Sequence, residues 1–340
     1  MDAKSLSTAR QRRSGESGGT SKTGAWRKII HRIPLLLVLL ALQGLAAACG
    51  LAAPAQSKLP TPAPLATASP LAPSHAAVLS EGLTQPMAVA VSSRGDVYVA
   101  DGDCRCIRVF DRMGASLYTL GPGLEPGKEM VYPVALALDN EDLLYVSDLS
   151  AGDILRFKNR NYIGALEVGA FQTELTAPAG IFLKDGAIYV NELSRHQVLV
   201  FRLEDGQLVH TFGNGKGTGE GFLAYPNFSL ALQDGSLLVA DSNNNRLQHF
   251  GLEGSAPEEW VGPVSLPRGL ALDAHENIFA ASALAGRIEV YSPQGRHLGG
   301  FARFKGASED VGLPIGIAVS GNYLYIADRL NGRVLIGALG

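Results

Sequence analysis

From residue 86 to the C-terminus the chain repeats one order of apolar and polar positions six times. Each copy opens with proline and an apolar run, crosses a turn, and enters a second apolar stretch that ends on an acidic or small polar residue. A third stretch follows. The opening prolines are Pro86 before MAVAV, Pro133 before VALAL, Pro178 before AGIFL, Pro226 before NFSLAL, Pro267 before RGLAL and Pro314 before IGIAV, spaced 41 to 48 residues apart. A period in the forties built from short strands predicts an all-β fold, a six-bladed β-propeller with one four-stranded antiparallel blade per repeat.

The fourth repeat shows the pattern most cleanly. Asn227 to Leu232 reads as the first strand, Gln233-Asp234-Gly235 as a turn, Ser236 to Asp241 as the second strand, Ser242 to Asn245 as a loop, and Arg246 to Phe250 as the third strand. Turn dipeptides recur at Asp185-Gly186, Asp205-Gly206 and Asn331-Gly332. In the second strand Leu237 and Val239 alternate with Leu238 and Ala240, so both faces are apolar and each blade is expected to be covered on both sides. After Pro314 the last repeat supplies three strands, whereas Ala76 to Leu79 is an apolar segment ahead of the first repeat. That segment is expected to fill the vacant fourth place and close the ring, removing an open edge.

Composition sharpens the class. The Gly and Pro content, 40 and 18 residues, suits short strands and tight turns, and a net charge of −3 gives no basic excess for a phosphate backbone, so nucleic acid is not expected as a partner. The charge is concentrated at the start: residues 1–32 form a basic segment containing Arg12, Arg13, Arg27 and Lys28. Residues 33–49 follow as an apolar stretch that ends in small residues, the order of an export signal or signal anchor. Leu45-Ala46-Ala47-Ala48-Cys49 is similar to a bacterial lipoprotein processing site, with Cys49 as the lipidated residue; Ala46 stands where leucine is usual, and an uncleaved anchor or ordinary secretion are the alternatives. Each places residues 76–340 outside the cytoplasm, at the end of a Pro/Ala/Ser-rich linker over residues 50–75. Cys104 and Cys106 form one C-x-C pair, read first as two small residues of a loop and strand start, with a local disulfide or a metal contact as alternatives.

The segments LLVADSNNNRLQHF (237–250), LYIADRLNGRVLI (324–336) and VYVADGDCRCIRVF (97–110), with the glycine-rich TFGNGKGTGEGFLAYP (211–226), resemble the NHL-repeat propellers over residues 76–340. The resemblance implies the six-bladed architecture more than a reaction, because the family includes binding and sensing domains, RNA-binding proteins and lyases. The repeat's polar pair, an acidic residue ending the second strand and an arginine five positions on, stands here as Asp241/Arg246 and Asp328/Arg333. It is degraded at Asp101/Cys106, Asp148/Asp153, Glu192/Gln197 and Ser282/Arg287. Repetition around the ring marks these positions as loop-fixing rather than catalytic.

The loops joining second to third strands share a face with the long interblade loops, and recognition is expected on that face. Residues flanking each repeat proline are expected to surround the channel mouth. Most are apolar. Tyr132, Tyr225, Asn227 and Arg268 are not, and they suggest an anion-preferring pocket in which Arg268 holds a carboxylate or phosphate, the tyrosines wall it, and Arg329, with Arg287 and Arg333, adds attraction. The alternative is that these side chains merely pack and cap the channel. No catalytic residues, metal ligands or resident cofactor are expected. Lyases of related fold use several histidines, and here only His196 should reach the loop-rich face. Asn191, Glu192 and Asn227 could offer oxygens to calcium, and zinc is the other metal considered. The expected function is a membrane-tethered extracytoplasmic propeller that binds a protein, peptide or envelope component without catalysis. The alternative is a metal-assisted lyase or lactonase with its site at the channel mouth.

Overall fold

The computed structural model describes residues 71–340 apart from 122–123, 125–128, 168–174, 252–256 and 261. The basic segment, the apolar signal, Cys49 and most of the linker lie outside the described residues. Among the described residues twenty-four strands form six four-stranded antiparallel sheets between Ser74 and Ala338. The innermost strands are Pro86–Val91, Pro133–Leu138, Pro178–Lys184, Pro226–Ala231, Pro267–Leu272 and Pro314–Ser320, so each repeat proline starts a blade. Proline suits that place because the first residue of a strand can lack an N–H donor.

The ring closes as expected. Ser74–Leu79 runs antiparallel to Arg333–Ala338 and becomes the outer strand of the sixth blade, pairing Leu79 with Val334 and Val78 with Leu335. The ordered segment begins slightly ahead of residue 76, because Pro73 and His75 exchange backbone hydrogen bonds with Lys305 and Ala72 is buried.

The core is not one mass but six clusters, one between each neighbouring pair of blades. Second strands explain this. Val97–Asp101, Leu144–Asp148, Leu237–Asp241 and Ile278–Ser282 are buried at every position, with successive side chains entering opposite interfaces. The seam between blades 6 and 1 has a cluster of its own, with Phe110, Val99, Tyr325 and Val334, so the closing interface is built like the rest.

All six inner strands carry a register irregularity just after the proline. In three blades pairing resumes at the third residue, as at Ala88. In the other three it resumes at the fourth, and there the third residue is Gly180, Gly269 or Gly316. A Cβ on Gly180 would lie 2.4 Å from the carbonyl oxygen of Asn227, and one on Gly316 2.6 Å from the Cα of Ala88. These glycines let adjacent inner strands approach backbone to backbone around the channel.

Candidate functional site

The mouth of the channel is set by the residues before and after each proline, and buried acids fix those residues. Asp101, Asp148, Glu192, Asp241 and Asp328, each at the end of a second strand, are fully buried. Asp101 accepts the N–H groups of Thr84 and Gln85, Asp148 those of Val131 and Tyr132, Glu192 those of Thr176 and Ala177, and Asp328 those of Gly312 and Leu313. The carboxylate therefore ties down the loop entering its own blade as well as the loop leaving its strand. Arg246 Nε donates to Asp241 at 2.9 Å and Arg333 Nε to Asp328 at 3.1 Å, and their outer nitrogens donate to carbonyls of the same entering loops. This assigns the repeated polar pair to loop fixation.

Blades 4 and 5 depart from the rule. The N–H of Tyr225 goes to His196 Nδ1 and that of Leu266 to Asn245 Oδ1, side chains belonging to the preceding blade. All four residues have φ between 50° and 56°. Left-handed backbone at non-glycine residues is costly, and here each strained pair is held by its side-chain hydrogen bond.

On this frame the structure gathers most of the expected pocket. Arg268 Nη1 donates to Asn227 Oδ1, and Asn227 Nδ2 donates to the Tyr225 carbonyl at 2.9 Å and to Ser242 Oγ at 2.8 Å. The Ser242 hydroxyl donates onward to the Pro267 carbonyl, which returns the chain of bonds to blade 5. Arg329 Nη2 donates to Gln85 Oε1 at 3.2 Å across the blade 6 to blade 1 seam. Burial, joined by the Arg329 charge and opposed by the Tyr132 phenol, pushes the Arg268 guanidinium down to about 10. Tyr132 belongs to blade 2 and Arg268 to blade 5, opposite one another in a six-bladed ring.

Arg268 remains a cation at neutral pH, yet neither it nor Arg329 forms an ion pair among the described residues. Arg268 Nε is buried without a hydrogen-bond partner. Two neighbouring cations without a carboxylate between them form an anion-seeking arrangement.

Other expectations are redistributed. Tyr132 leans over Gly102, where a Cβ would meet its ring at 2.8 Å, and its hydroxyl lies 3.8 Å from Met87 Sδ. The Tyr225 ring turns to His196 instead, edge to face at 4.6 Å, so only its carbonyl joins the Asn227 network. Arg287 and Arg333 do not add attraction to the mouth. Arg333 is consumed by Asp328 and Glu309, and Arg287 sits 2.7 Å from the buried Glu289. The oxygens considered for calcium are also engaged, Glu192 by loop amides and the Ser194 hydroxyl, Asn191 Oδ1 by the Ser229 hydroxyl. Among the described residues no group of three or more His, Cys, Asp or Glu is placed to hold a metal ion. Cys104, in the loop that follows Asp101, and Cys106, at the start of the third strand of blade 1, are joined in a disulfide and not left as separate thiols. Ser242 and Gln85 are the residues of the network that the sequence did not single out. Ser242 takes the place in blade 4 that Arg329 takes in blade 6, directly after the acid, and aligning those positions would have found it.

The NHL repeat family matches residues 229–250, which cover most of the first three strands of blade 4. The protein brain tumor of Drosophila melanogaster is 28% identical over 142 residues, which cover 41% of this chain and 13% of that protein's length. The fold resembles a catalytically inactive virginiamycin B lyase of Staphylococcus aureus with quinupristin, at 19% identity and a TM-score of 0.55 over 74% of this chain and 81% of that one. A streptogramin B lyase structure, 16% identical, gives a TM-score of 0.56 over 76% of this chain and 94% of that one. At such identities the likeness extends to the fold alone. The chain is a six-bladed β-propeller with an NHL repeat in its fourth blade.

Proposed function

We propose that this propeller is a non-catalytic binding module whose loop-rich face takes an anionic ligand at the channel mouth. The observation that carries the reading is the pair Arg268 and Arg329, two cations at the mouth with no ion-pair partner among the described residues and one buried guanidinium nitrogen unbonded. Because Arg268 Nε is shut off from solvent, a carboxylate or phosphate is taken by the outer guanidinium nitrogens, which are held only by neutral side chains. Gln85, Asn227 and Ser242 position the two guanidinium groups and give the ligand polar neighbours. Tyr132 walls the opposite side.

The lyase or lactonase alternative requires a convergent donor set, and the histidine and carboxylate side chains of the mouth are engaged in holding backbone. A binding role asks only for a rigid ring that presents fixed loops. We place this module outside the cytoplasm, anchored to the membrane through Cys49, with a protein, peptide or envelope component as its partner. The support is the order of basic, apolar and small residues ahead of Cys49.

Two experiments test the reading. Calorimetric titration of residues 71–340 with acetate, succinate and inorganic phosphate is expected to show binding that Arg268→Gln weakens at least tenfold. Unaltered binding in that variant places the anion elsewhere. For the anchor, fractionation and intact mass of the full chain and of Cys49→Ala are compared. Identical mass and membrane retention rule out lipidation.

A further inference from the structure

The rim of the channel offers a ligand almost no backbone. The N–H groups of the six residues before the repeat prolines all have acceptors: three buried aspartates, Glu192, His196 and Asn245. Their carbonyls are also engaged. Five accept N–H groups from the residue that follows the end of the second strand, as Arg329 N–H does to Leu313, and the Tyr225 carbonyl accepts from Asn227. A peptide that docks by strand addition needs an open edge of such groups, and this rim presents none.

What remains for a ligand is side chains: the two guanidinium groups, the polar Gln85, Asn227 and Ser242 that hold them, and apolar groups. Leu284 and Leu330 are 68% and 71% exposed and sit in the second-to-third strand loops of the adjacent blades 5 and 6. The corresponding positions in the other four blades are the polar Asp103, Ser150, Ser194 and Asn243. Leu330 directly follows Arg329, and Leu284 occupies the same blade as Arg268. Leu284 and Leu330 are thus the most exposed apolar side chains described on this face, ahead of Val131, Phe222 and Tyr225 at 39–42%, and they sit in the two blades that carry Arg268 and Arg329, with the half-buried Leu266 and Leu313 between.

Resting on the anion-binding reading above, we propose that the ligand is a single-chain amphiphile with a carboxylate head. The head sits on Arg268 and Arg329, and the alkyl chain runs outward over blades 5 and 6 between Leu284 and Leu330. Charge complementarity fixes the head, and the saturated rim backbone favours an alkyl chain over a peptide.

The test is calorimetric titration of residues 71–340, which hold every strand of the closed ring, with dodecanoate below its micelle concentration. Acetate, octanoate and dodecyltrimethylammonium serve as comparisons. Burial of each methylene is worth up to about 0.8 kcal/mol, so even partial burial of four makes dodecanoate at least about tenfold tighter than octanoate. The ammonium amphiphile is expected to bind at least tenfold more weakly than dodecanoate. The exposed substitutions Leu284→Ser and Leu330→Ser together are expected to collapse the dodecanoate-to-acetate affinity ratio at least fivefold without lowering the melting temperature. Acetate and phosphate binding at Arg268 with dodecanoate no tighter than acetate overturns the amphiphile and leaves the anion site standing. Equal binding of both amphiphiles overturns the role of the head. A carboxylate-ended peptide that outcompetes dodecanoate replaces the alkyl chain by a polypeptide. Absence of any anion binding removes the anion-binding reading and this inference together.

Discussion

The Nδ1 atom of His196 in blade 3 accepts the backbone N–H of Tyr225 in the loop entering blade 4, at 3.0 Å. Imidazole does this only with Nδ1 unprotonated. Burial, joined by the Lys216 charge and opposed by Asp241, holds the His196 pKa below its ordinary value. The folded state thus prefers the neutral ring. Its contribution to stability is complete above the unfolded value of about 6.5 and is lost as pH falls through the lower folded value. Asn245 performs the same task one blade on with a side chain that does not titrate. His196→Asn is therefore expected to keep Tyr225 in place and to be less acid-sensitive by about 1 kcal/mol between pH 7.5 and 5.5. Thermal melts of both proteins at the two pH values measure this, and equal losses would contradict it.

Asp241 is fully buried, holds the Ala224 N–H at 2.6 Å and pairs with Arg246, which is itself only 9% exposed. Removing one partner of such a pair leaves the other charge uncompensated, at a cost of about 3–5 kcal/mol. Asp241→Ala is expected to destabilise by that amount in urea melts. Ser282→Ala, which removes a neutral hydroxyl from the equivalent place in blade 5, is expected to cost only about 1 kcal/mol. Similar losses in the two variants would deny the buried acid its special role.

Gly180 does not have a left-handed backbone, so the cost of a side chain there comes from contact alone. A methyl group at 2.4 Å from the Asn227 carbonyl must push blades 3 and 4 apart. Gly180→Ala is expected to destabilise by about 1–3 kcal/mol and, through Asn227, to weaken anion binding at Arg268. Retained stability and affinity would show that the inner strands have room to spare.

The outer strand Ser74–Leu79 covers an edge that would otherwise be open. A chain beginning at Gln85 leaves the outer edge of Arg333–Ala338 unpaired and, by removing Leu79 and Leu83, uncovers the rest of the blade 6 to blade 1 cluster around Val99, Phe110 and Val334. Light scattering is expected to show association of that shortened protein. A monomer that melts like residues 71–340 would refute closure by this strand.

The fold was legible because its sequence signals repeat. Six prolines, six apolar second strands and their terminal acids each carry weak information, and together they specify blades, register and closure. The site was legible only in part, for a physical reason. Arg268, Asn227 and Tyr132 could be placed at the mouth by repeat position, but whether a charge there is free depends on partners from other blades. Arg287 and Arg329 were both expected to add charge to the mouth, yet one lies against the buried Glu289 and the side chain of the other bonds to the neutral Gln85. Likewise Tyr225 and Tyr132 both precede a proline. His196 makes the difference by capturing the Tyr225 N–H and turning its backbone left-handed. The C-x-C pair was ambiguous because two residues of separation allow a disulfide without requiring one, and the loop's conformation decides it.

In the proposed function the Arg268 guanidinium is the anion receptor, and its buried, unbonded Nε reports on that group most directly. The Nε–Hε signal of Arg268, assigned through its loss in Arg268→Lys, can be followed by 15N NMR as acetate or phosphate is added to residues 71–340. A saturable downfield shift of that proton is expected, shared in smaller degree by the Arg329 signal and absent when sodium chloride is added to the same ionic strength. A signal that stays in place, or moves identically with chloride, would contradict it.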